Sequence, residues 1–164
     1  SFPPMMMLGG STEKAARRAA KLEMGFFPAV GDTRLAEIYD EECRARGFTG
    51  GFVSMPGGPG SVHVTEDPDR DWEVIGPHAL FDAQTYASWQ TPGQRSEVHT
   101  EAQSIDDLKR SGVFAVVTPE ECIRMGREQG RIILHPLMGG LDPEFSWRSL
   151  RLFEEKVLPK LREA

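Results

Sequence analysis

The chain has 164 residues and a net charge of −6, with acidic and basic residues interspersed along it. This length is enough for one domain with a sizeable core, and the acidic balance argues against nucleic acid as the main partner. No apolar run approaches the roughly 20 residues that a membrane-spanning helix needs, so we expect no membrane partner. Cys43 and Cys122 both fall inside predicted helices without a metal-type spacing, which favours reduced cysteines in a cytoplasmic protein.

The first part of the chain alternates short apolar strands with capped helices. In chain order the predicted elements are a strand at Met5–Leu8, a helix from about Thr12 to Met24, a strand at Phe26–Val30, a helix from Asp32 or Thr33 to about Arg46, and a loop over Gly50–Gly60. Because the first strand begins almost at residue 1, we expect the sequence to begin inside a fold.

The rest of the chain repeats this alternation with clear helix starts. The predictions are a strand at Ser61–Thr65, a helix from Pro68 interrupted at Gly76–Pro77, a polar surface excursion over residues 90–112, a strand at Val113–Val117, a helix from Pro119, a strand at Arg131–Pro136 and a closing helix after Pro143. Asp67, Thr118 and Asp142 are the expected N-caps, because each precedes a proline at the first helical position.

Strands that alternate with helices predict a parallel sheet covered by helices. A complete (β/α)8 barrel typically needs about 250 residues, so this chain can supply only about half of one. A small doubly wound sheet fits the length equally well, although the G-x-G-x-x-G fingerprint of that fold is absent after the first strand. The residues leave half-barrel and small open sheet as alternatives.

The first strand–helix junction is the best candidate for a binding site. Gly9 and Gly10 let backbone approach a ligand closely, and Ser11 and Thr12 add hydroxyl donors at the positive end of a helix dipole. This combination is typical of a phosphate site. It is equally typical of a tight turn with a serine or threonine N-cap, and Glu13 would compete with an anion for the same dipole.

Several motifs occur in the same order as in a known family. They are Pro3–Ser11 with the alanine- and arginine-rich helix after it, Gly25–Pro28, Val62–Pro68 with Trp72, Thr118–Glu121, Leu134–Leu141, and Leu150–Phe153 with Val157–Pro159. Together they resemble the second half of bacterial luciferase-like flavin monooxygenases. The resemblance implies a single domain over residues 1–164 that forms about strands 5–8 of a (β/α)8 barrel, with an insertion over residues 67–112.

The resemblance also implies a function. It predicts a flavin-dependent oxidoreductase that transfers oxygen to a small organic substrate through reduced flavin, with FMN as cofactor or, in a subset of the family, a deazaflavin coenzyme used for hydride transfer. Gly9, Gly10, Ser11 and Thr12 would contact the flavin phosphate, and His135 and Gly139 would lie near the flavin or substrate. A structural histidine and a simple glycine turn are the alternatives for the last two. No histidine and acid spacing indicates a metal.

The rival hypothesis is a non-catalytic half-barrel that acts through assembly. Half a barrel would leave Met5–Leu8 and Arg131–Pro136 as strand edges without partners, together with an open apolar interior. We therefore expect a homo-oligomer, or pairing with a missing N-terminal half.

Overall fold

The computed structural model describes residues 4–91 and 93–163. Within those residues the chain is a mixed α/β structure whose four strands form two separate, parallel, two-stranded sheets. Its contacts divide it into two compact units. Unit 1 is Ser1–Gly57 with Thr91–Glu97, and unit 2 is Gly58–Gln90 with Val98–Ala164. Each unit has its own sheet and its own core.

Unit 1 is a strand–helix–strand–helix arrangement. Its elements are β1 (Met7–Gly10), α1 (Glu13–Lys21), β2 (Gly25–Pro28) and α2 (Thr33–Arg46). β1 pairs with β2 in parallel, with Met7 opposite Gly25. Val53 adds a one-residue parallel bridge to Phe26, so the predicted loop over Gly50–Gly60 contains a short sheet contact that its glycine and proline content concealed.

Both helices of unit 1 pack on the same face of its sheet. The predicted alanine stripe, represented by Ala16, Ala19 and Ala20, is fully buried there, and Phe26 stacks on Tyr39 with ring centroids 5.8 Å apart. The opposite face carries Met7 and Phe27, which are 38% and 39% exposed. Unit 1 therefore has one covered and one open face.

Unit 2 contains the remaining elements. These are β3 (Ser61–Val64), α3 (Pro68–Ser88), α4 (Ile105–Ser111), β4 (Phe114–Val117), α5 (Pro119–Gln129), a 3₁₀ turn (Met138–Gly140), α6 (Pro143–Leu152), a π-helical turn (Phe153–Val157) and α7 (Leu158–Arg162). The three predicted N-caps are confirmed, since the side chains of Asp67, Thr118 and Asp142 each accept a hydrogen bond from a first-turn amide.

Both faces of the unit 2 sheet are covered. Val62 and Val64 belong to one core cluster with Cys122 of α5 and Val157 of the π-helical turn. Phe114 and Val116 belong to a second cluster, formed mainly with α3 and including Ile75. Since helices cover only the outer face of the strands in a (β/α)8 barrel, the two-sided cover differs from a half-barrel, which the structure does not confirm.

The predicted strand at Arg131–Pro136 is largely absent. Only Leu134 forms a parallel bridge, to Val62, and the Val62 amide donates to the Ile133 carbonyl over 2.8 Å. The next amide of β3 that faces this side, that of Val64, donates instead to the Ser149 hydroxyl over 2.8 Å. The ladder ends early because a side chain from α6 takes the place of the third strand.

The segment predicted as an insertion, residues 67–112, contributes to the core of unit 2. α3 runs without a break through Gly76 and Pro77, so the predicted interruption is wrong. A Cβ at Gly76 would lie 2.9 Å from Cδ1 of Ile105, so glycine permits the close approach of the segment that begins α4. The polar excursion also holds α4 itself, which a capping box between Ser104 and Asp107 begins. No helix in the described ranges is both long and apolar enough to cross a membrane.

Candidate functional site

The β1–α1 turn lies at the carboxyl end of both strands of unit 1. β1 ends at Gly10, whose carbonyl accepts a hydrogen bond of 3.0 Å from the amide of Ala29, just past β2. Gly9 has room above its Cα, because the nearest atom to a Cβ built there is the Phe27 carbonyl oxygen at 3.7 Å. Gly10 has no such room, since a Cβ there would overlap the Cβ of Ala15. The two adjacent glycines therefore differ: a side chain would fit at Gly9, whereas close packing against α1 requires glycine at position 10.

The start of α1 presents the polar groups that a phosphate needs. Thr12 is the N-cap, and its Oγ1 accepts a hydrogen bond of 3.3 Å from the Ala15 amide. Accepting this bond leaves the Thr12 hydroxyl proton available for donation. The Glu13 and Lys14 amides are first-turn donors without intrahelical acceptors. Thr12 is exposed and Ser11 is half-buried, so a ligand can reach both.

Glu13, the expected competitor at this helix start, is exposed and has a cationic neighbour. Its Oε2 lies 3.9 Å from the Arg17 guanidinium, which also donates a hydrogen bond of 3.3 Å to Glu42. Hydrogen bonds from Arg46 and Arg17 lower the pKa of Glu42. The Glu13 carboxylate therefore has a cationic neighbour, Arg17, one turn further along α1.

At the neighbouring β2–α2 turn, a carboxylate of the chain accepts a backbone hydrogen bond. Asp32 caps α2 by accepting from the Arg34 amide over 3.0 Å. The amide of Gly31, one residue earlier, donates over 2.8 Å to a carboxylate oxygen of Glu97, from the Thr91–Glu97 segment. The Glu97 amide in turn donates to the Ala29 carbonyl over 2.9 Å. One of the two strand–helix turns of unit 1 thus binds an anionic oxygen of the chain itself.

His135 lies on a cavity of about 310 Å³ within unit 2. The helix α3 supplies one wall through Asp82, Tyr86 and Trp89, which lie at i, i+4 and i+7 on one helix face. The strand side includes Phe114. His135 Nδ1 lies 3.8 Å from Oδ2 of Asp82. The sequence prediction singled out His135 but missed Asp82, whose helical spacing to Tyr86 and Trp89 was the available signal.

Gly139, the other predicted residue of this segment, packs against α3. Its φ is +52°, and a Cβ there would run into the backbone of His78. The His78 ring nitrogen Nδ1 lies 3.0 Å from the Gly139 carbonyl oxygen. Close contact with α3 thus gives a structural reason for glycine at this position, and the predicted role in ligand approach stays a prediction.

Buried polar groups in unit 2 are held by specific partners. His63 is 7% exposed, its Nε2 lies 3.2 Å from Asp71 Oδ2, and its ring stacks on Phe145 at 5.2 Å. Burial lowers the pKa of His63, although the Asp71 carboxylate opposes that shift. Burial likewise raises the pKa of the Cys122 thiol to about 11. His63 is thus packed under α3.

A larger depression of about 570 Å³ lies beyond the carboxyl end of β3. Its walls carry charges of both signs, and Lys156 is already bound to Glu66 in an ion pair. Hydrogen bonding to Lys156 lowers the pKa of Glu66. These internal pairings leave the depression without a dominant charge. Among the described residues, no group of three or more histidine, cysteine, aspartate or glutamate side chains could hold a metal ion.

Comparison with known proteins adds no identification. No family model matches the chain, and no curated protein matches it either. The luciferase-like resemblance therefore stays a prediction that rests on the motifs.

Proposed function

We propose that this chain is part of a flavin-dependent oxidoreductase of the luciferase-like type, in which the β1–α1 turn binds the phosphate of FMN. The observation that carries the proposal is the turn itself. It combines room for a Cβ at Gly9, hydroxyls at Ser11 and Thr12, and first-turn amides without intrahelical acceptors at the carboxyl edge of a parallel sheet. A parallel sheet with this junction is a recurrent setting for nucleotide phosphates.

The residues of the turn fit a phosphate in charge and in hydrogen bonding. The amides of Glu13 and Lys14 and the hydroxyls of Ser11 and Thr12 would donate to phosphate oxygens, and Gly9 would let the oxygens approach the backbone. The flavin ring, when bound, supplies the redox chemistry that transfers oxygen to a small organic substrate. The protein's own contribution at this turn is to bind and orient the cofactor by its phosphate.

The test is a fluorescence titration of the purified chain with FMN and with a deazaflavin coenzyme. Gly9→Ala is the informative variant, because a Cβ at this position meets no protein atom closer than 3.7 Å, so the variant should fold, while its methyl group would meet a phosphate bound against the Gly9 backbone. We expect Gly9→Ala to weaken FMN binding about tenfold and Ser11→Ala to weaken it several-fold. Gly57→Ala is the matched control, since a Cβ there meets nothing within 4 Å.

Each result of that titration has a definite meaning. Binding of FMN that Gly9→Ala weakens and Gly57→Ala does not supports the proposal. Preferential binding of the deazaflavin, with the same response to Gly9→Ala, keeps the phosphate site and replaces oxygen transfer by hydride transfer. Equal FMN binding by the unaltered chain, Gly9→Ala and Gly57→Ala, or no FMN binding at all, contradicts the phosphate site.

The second candidate function is assembly with another copy of the chain. The observation that favours it is the open face of unit 1, where Met7 and Phe27 are exposed next to the exposed Met5 and Met6. In the described sheet β1 is an edge strand with β2 on one side. Exposed apolar side chains beside an edge strand are typical of pairing surfaces.

Light scattering at micromolar concentration tests assembly. We expect a dimer or larger species, and we expect the double variant Met7→Ser with Phe27→Ser to shift it toward monomer. Phe81→Ser is the control, because Phe81 is an exposed aromatic residue of α3 in unit 2. A monodisperse monomer of the unaltered chain would refute this candidate.

A further inference from the structure

The cavity beside His135 has an unusual combination of linings. Three of its residues are aromatic, namely Tyr86, Trp89 and Phe114, and the valines Val98 and Val113 add apolar surface. Its volume of about 310 Å³ is at the lower end of the range for small-molecule pockets. A single aromatic ring with a short substituent is therefore the scale of ligand that it suits.

The negative charge of the cavity comes from one residue, Asp82. Among the lining residues, Asp82 is the one carboxylate, and His135 is the one side chain that can carry a positive charge. Within the described part of the chain, the charged partner recorded for Asp82 is His135, at 3.8 Å, which is longer than a hydrogen bond. No lysine or arginine lines the cavity. Asp82 therefore has no lysine or arginine partner in the cavity, and its titratable neighbour among the lining residues is His135.

Aromatic side chains around a carboxylate favour a particular ligand chemistry. The faces of Trp and Tyr rings attract cations, and the Asp82 carboxylate, which is 38% exposed, attracts an opposite charge. Trp89, at the end of α3, remains 71% exposed, so the largest ring of the site is accessible to a ligand from solvent. An anionic ligand such as a phosphate would meet the Asp82 carboxylate and no lysine or arginine.

From this combination we infer that the cavity formed by α3 and the β3–β4 sheet is a binding site for a small organic cation, an amine attached to an apolar or aromatic body. Asp82 binds the ammonium group, and Tyr86, Trp89 and Phe114 contact the body. All residues of this site belong to unit 2 and its ligand carries no phosphate, so the test below does not depend on FMN binding at the β1–α1 turn.

The test uses three probes of equal size and different charge on the full chain: benzylammonium, benzyl alcohol and benzoate. Isothermal titration calorimetry at neutral pH should give benzylammonium an affinity about tenfold above that of benzyl alcohol, with benzoate weakest. Asp82→Asn should abolish the preference for the cation while benzyl alcohol still binds with unchanged affinity. The unchanged neutral probe shows that the variant is folded.

Two control variants separate this site from general surface effects. Asp106→Asn removes an exposed acid of α4 that does not line the cavity, and it should leave all three affinities unchanged. Trp89→Ala should weaken benzylammonium and benzyl alcohol several-fold, whereas Trp147→Ala, at another exposed tryptophan of unit 2, should not. Equal affinity for the cation and the alcohol, a cation preference that survives Asp82→Asn, or no binding at millimolar concentration would each overturn the inference.

Discussion

Each of the two sheets of this chain is one parallel strand pair, but the sheets differ in how their faces are covered. In unit 1 the face without helices carries apolar side chains, Met7 and Phe27. In unit 2 both faces are covered, and the face under α3 includes the polar residues Ser61 and His63. The buried polar side chains of unit 2 need hydrogen-bond partners, whereas the exposed apolar side chains of unit 1 need none. The hydrophobicity of a strand's side chains therefore does not by itself show which face of the sheet helices cover.

The largest expected effect contrasts two neighbouring residues of β2, one on each face of the unit 1 sheet. Phe26 and Phe27 are adjacent in β2, but Phe26 is fully buried and Phe27 is 39% exposed. Phe26→Ala should lower the free energy of unfolding by about 3–5 kcal/mol, and Phe27→Ala by less than about 1 kcal/mol. Urea unfolding of both variants measures the difference. Equal losses would mean that the second face of unit 1 is also covered in solution.

A smaller effect is expected where a side chain completes the unit 2 sheet. Ser149→Ala removes the acceptor of the buried Val64 amide and should cost about 1–3 kcal/mol in unfolding free energy. Ser88→Ala is the control, because the exposed Ser88 hydroxyl donates to the Thr85 carbonyl within its own helix. Amide hydrogen exchange at Val64 should accelerate in Ser149→Ala. If Ser149→Ala changes neither the unfolding free energy nor the exchange rate at Val64, the Val64 amide has another acceptor in solution.

The buried histidine of unit 2 predicts a pH dependence. Burial lowers the pKa of His63 below its usual value of 6.5, so below that value the unfolded chain binds a proton that the folded chain does not. Stability from this residue is therefore complete above pH 6.5 and decreases as the pH falls below it. His63→Gln should flatten the fall in unfolding free energy between pH 7.5 and pH 5. An equal fall in this variant and in the unaltered chain would assign the dependence to other groups.

The smallest effect is expected at the segment that returns to unit 1. Glu97→Ala removes an exposed, charge-assisted hydrogen bond to the Gly31 amide and should cost about 1 kcal/mol or less. Exchange of the Gly31 amide hydrogen should become faster, while amides inside α2 keep their rates. Unchanged exchange at Gly31 would show that Glu97 is not its acceptor in solution.

Local signals in the sequence predicted the helices well. Asp67–Pro68, Thr118–Pro119 and Asp142–Pro143 marked three helix starts correctly, because N-cap and proline preferences act within a few residues. Gly47 likewise ends α2 in the left-handed conformation expected of a C-terminal glycine. The start of α4 carried a similar signal in Ser104 and Asp107, which the polar character of residues 90–112 obscured.

Sheet contacts were harder to predict because they depend on distant residues. Arg131–Pro136 has the apolar content of a strand, yet Ser149 takes the place of its continued pairing with β3. Pro77 would end an isolated helix, but burial of Ile75 and Ala79 keeps α3 continuous. For the sites, the glycines at 9 and 10 were visible in the sequence, whereas the proximity of Asp82 to His135 arises only from the fold.

Binding of the FMN phosphate at the β1–α1 turn can be followed by backbone amide NMR. The chain is titrated with FMN and, in parallel, with riboflavin, which lacks the phosphate. We expect FMN to shift the amide resonances from Gly9 to Lys14 and riboflavin to leave them in place. FMN binding that leaves these amides unmoved, or moves them no more than riboflavin does, would contradict the phosphate site.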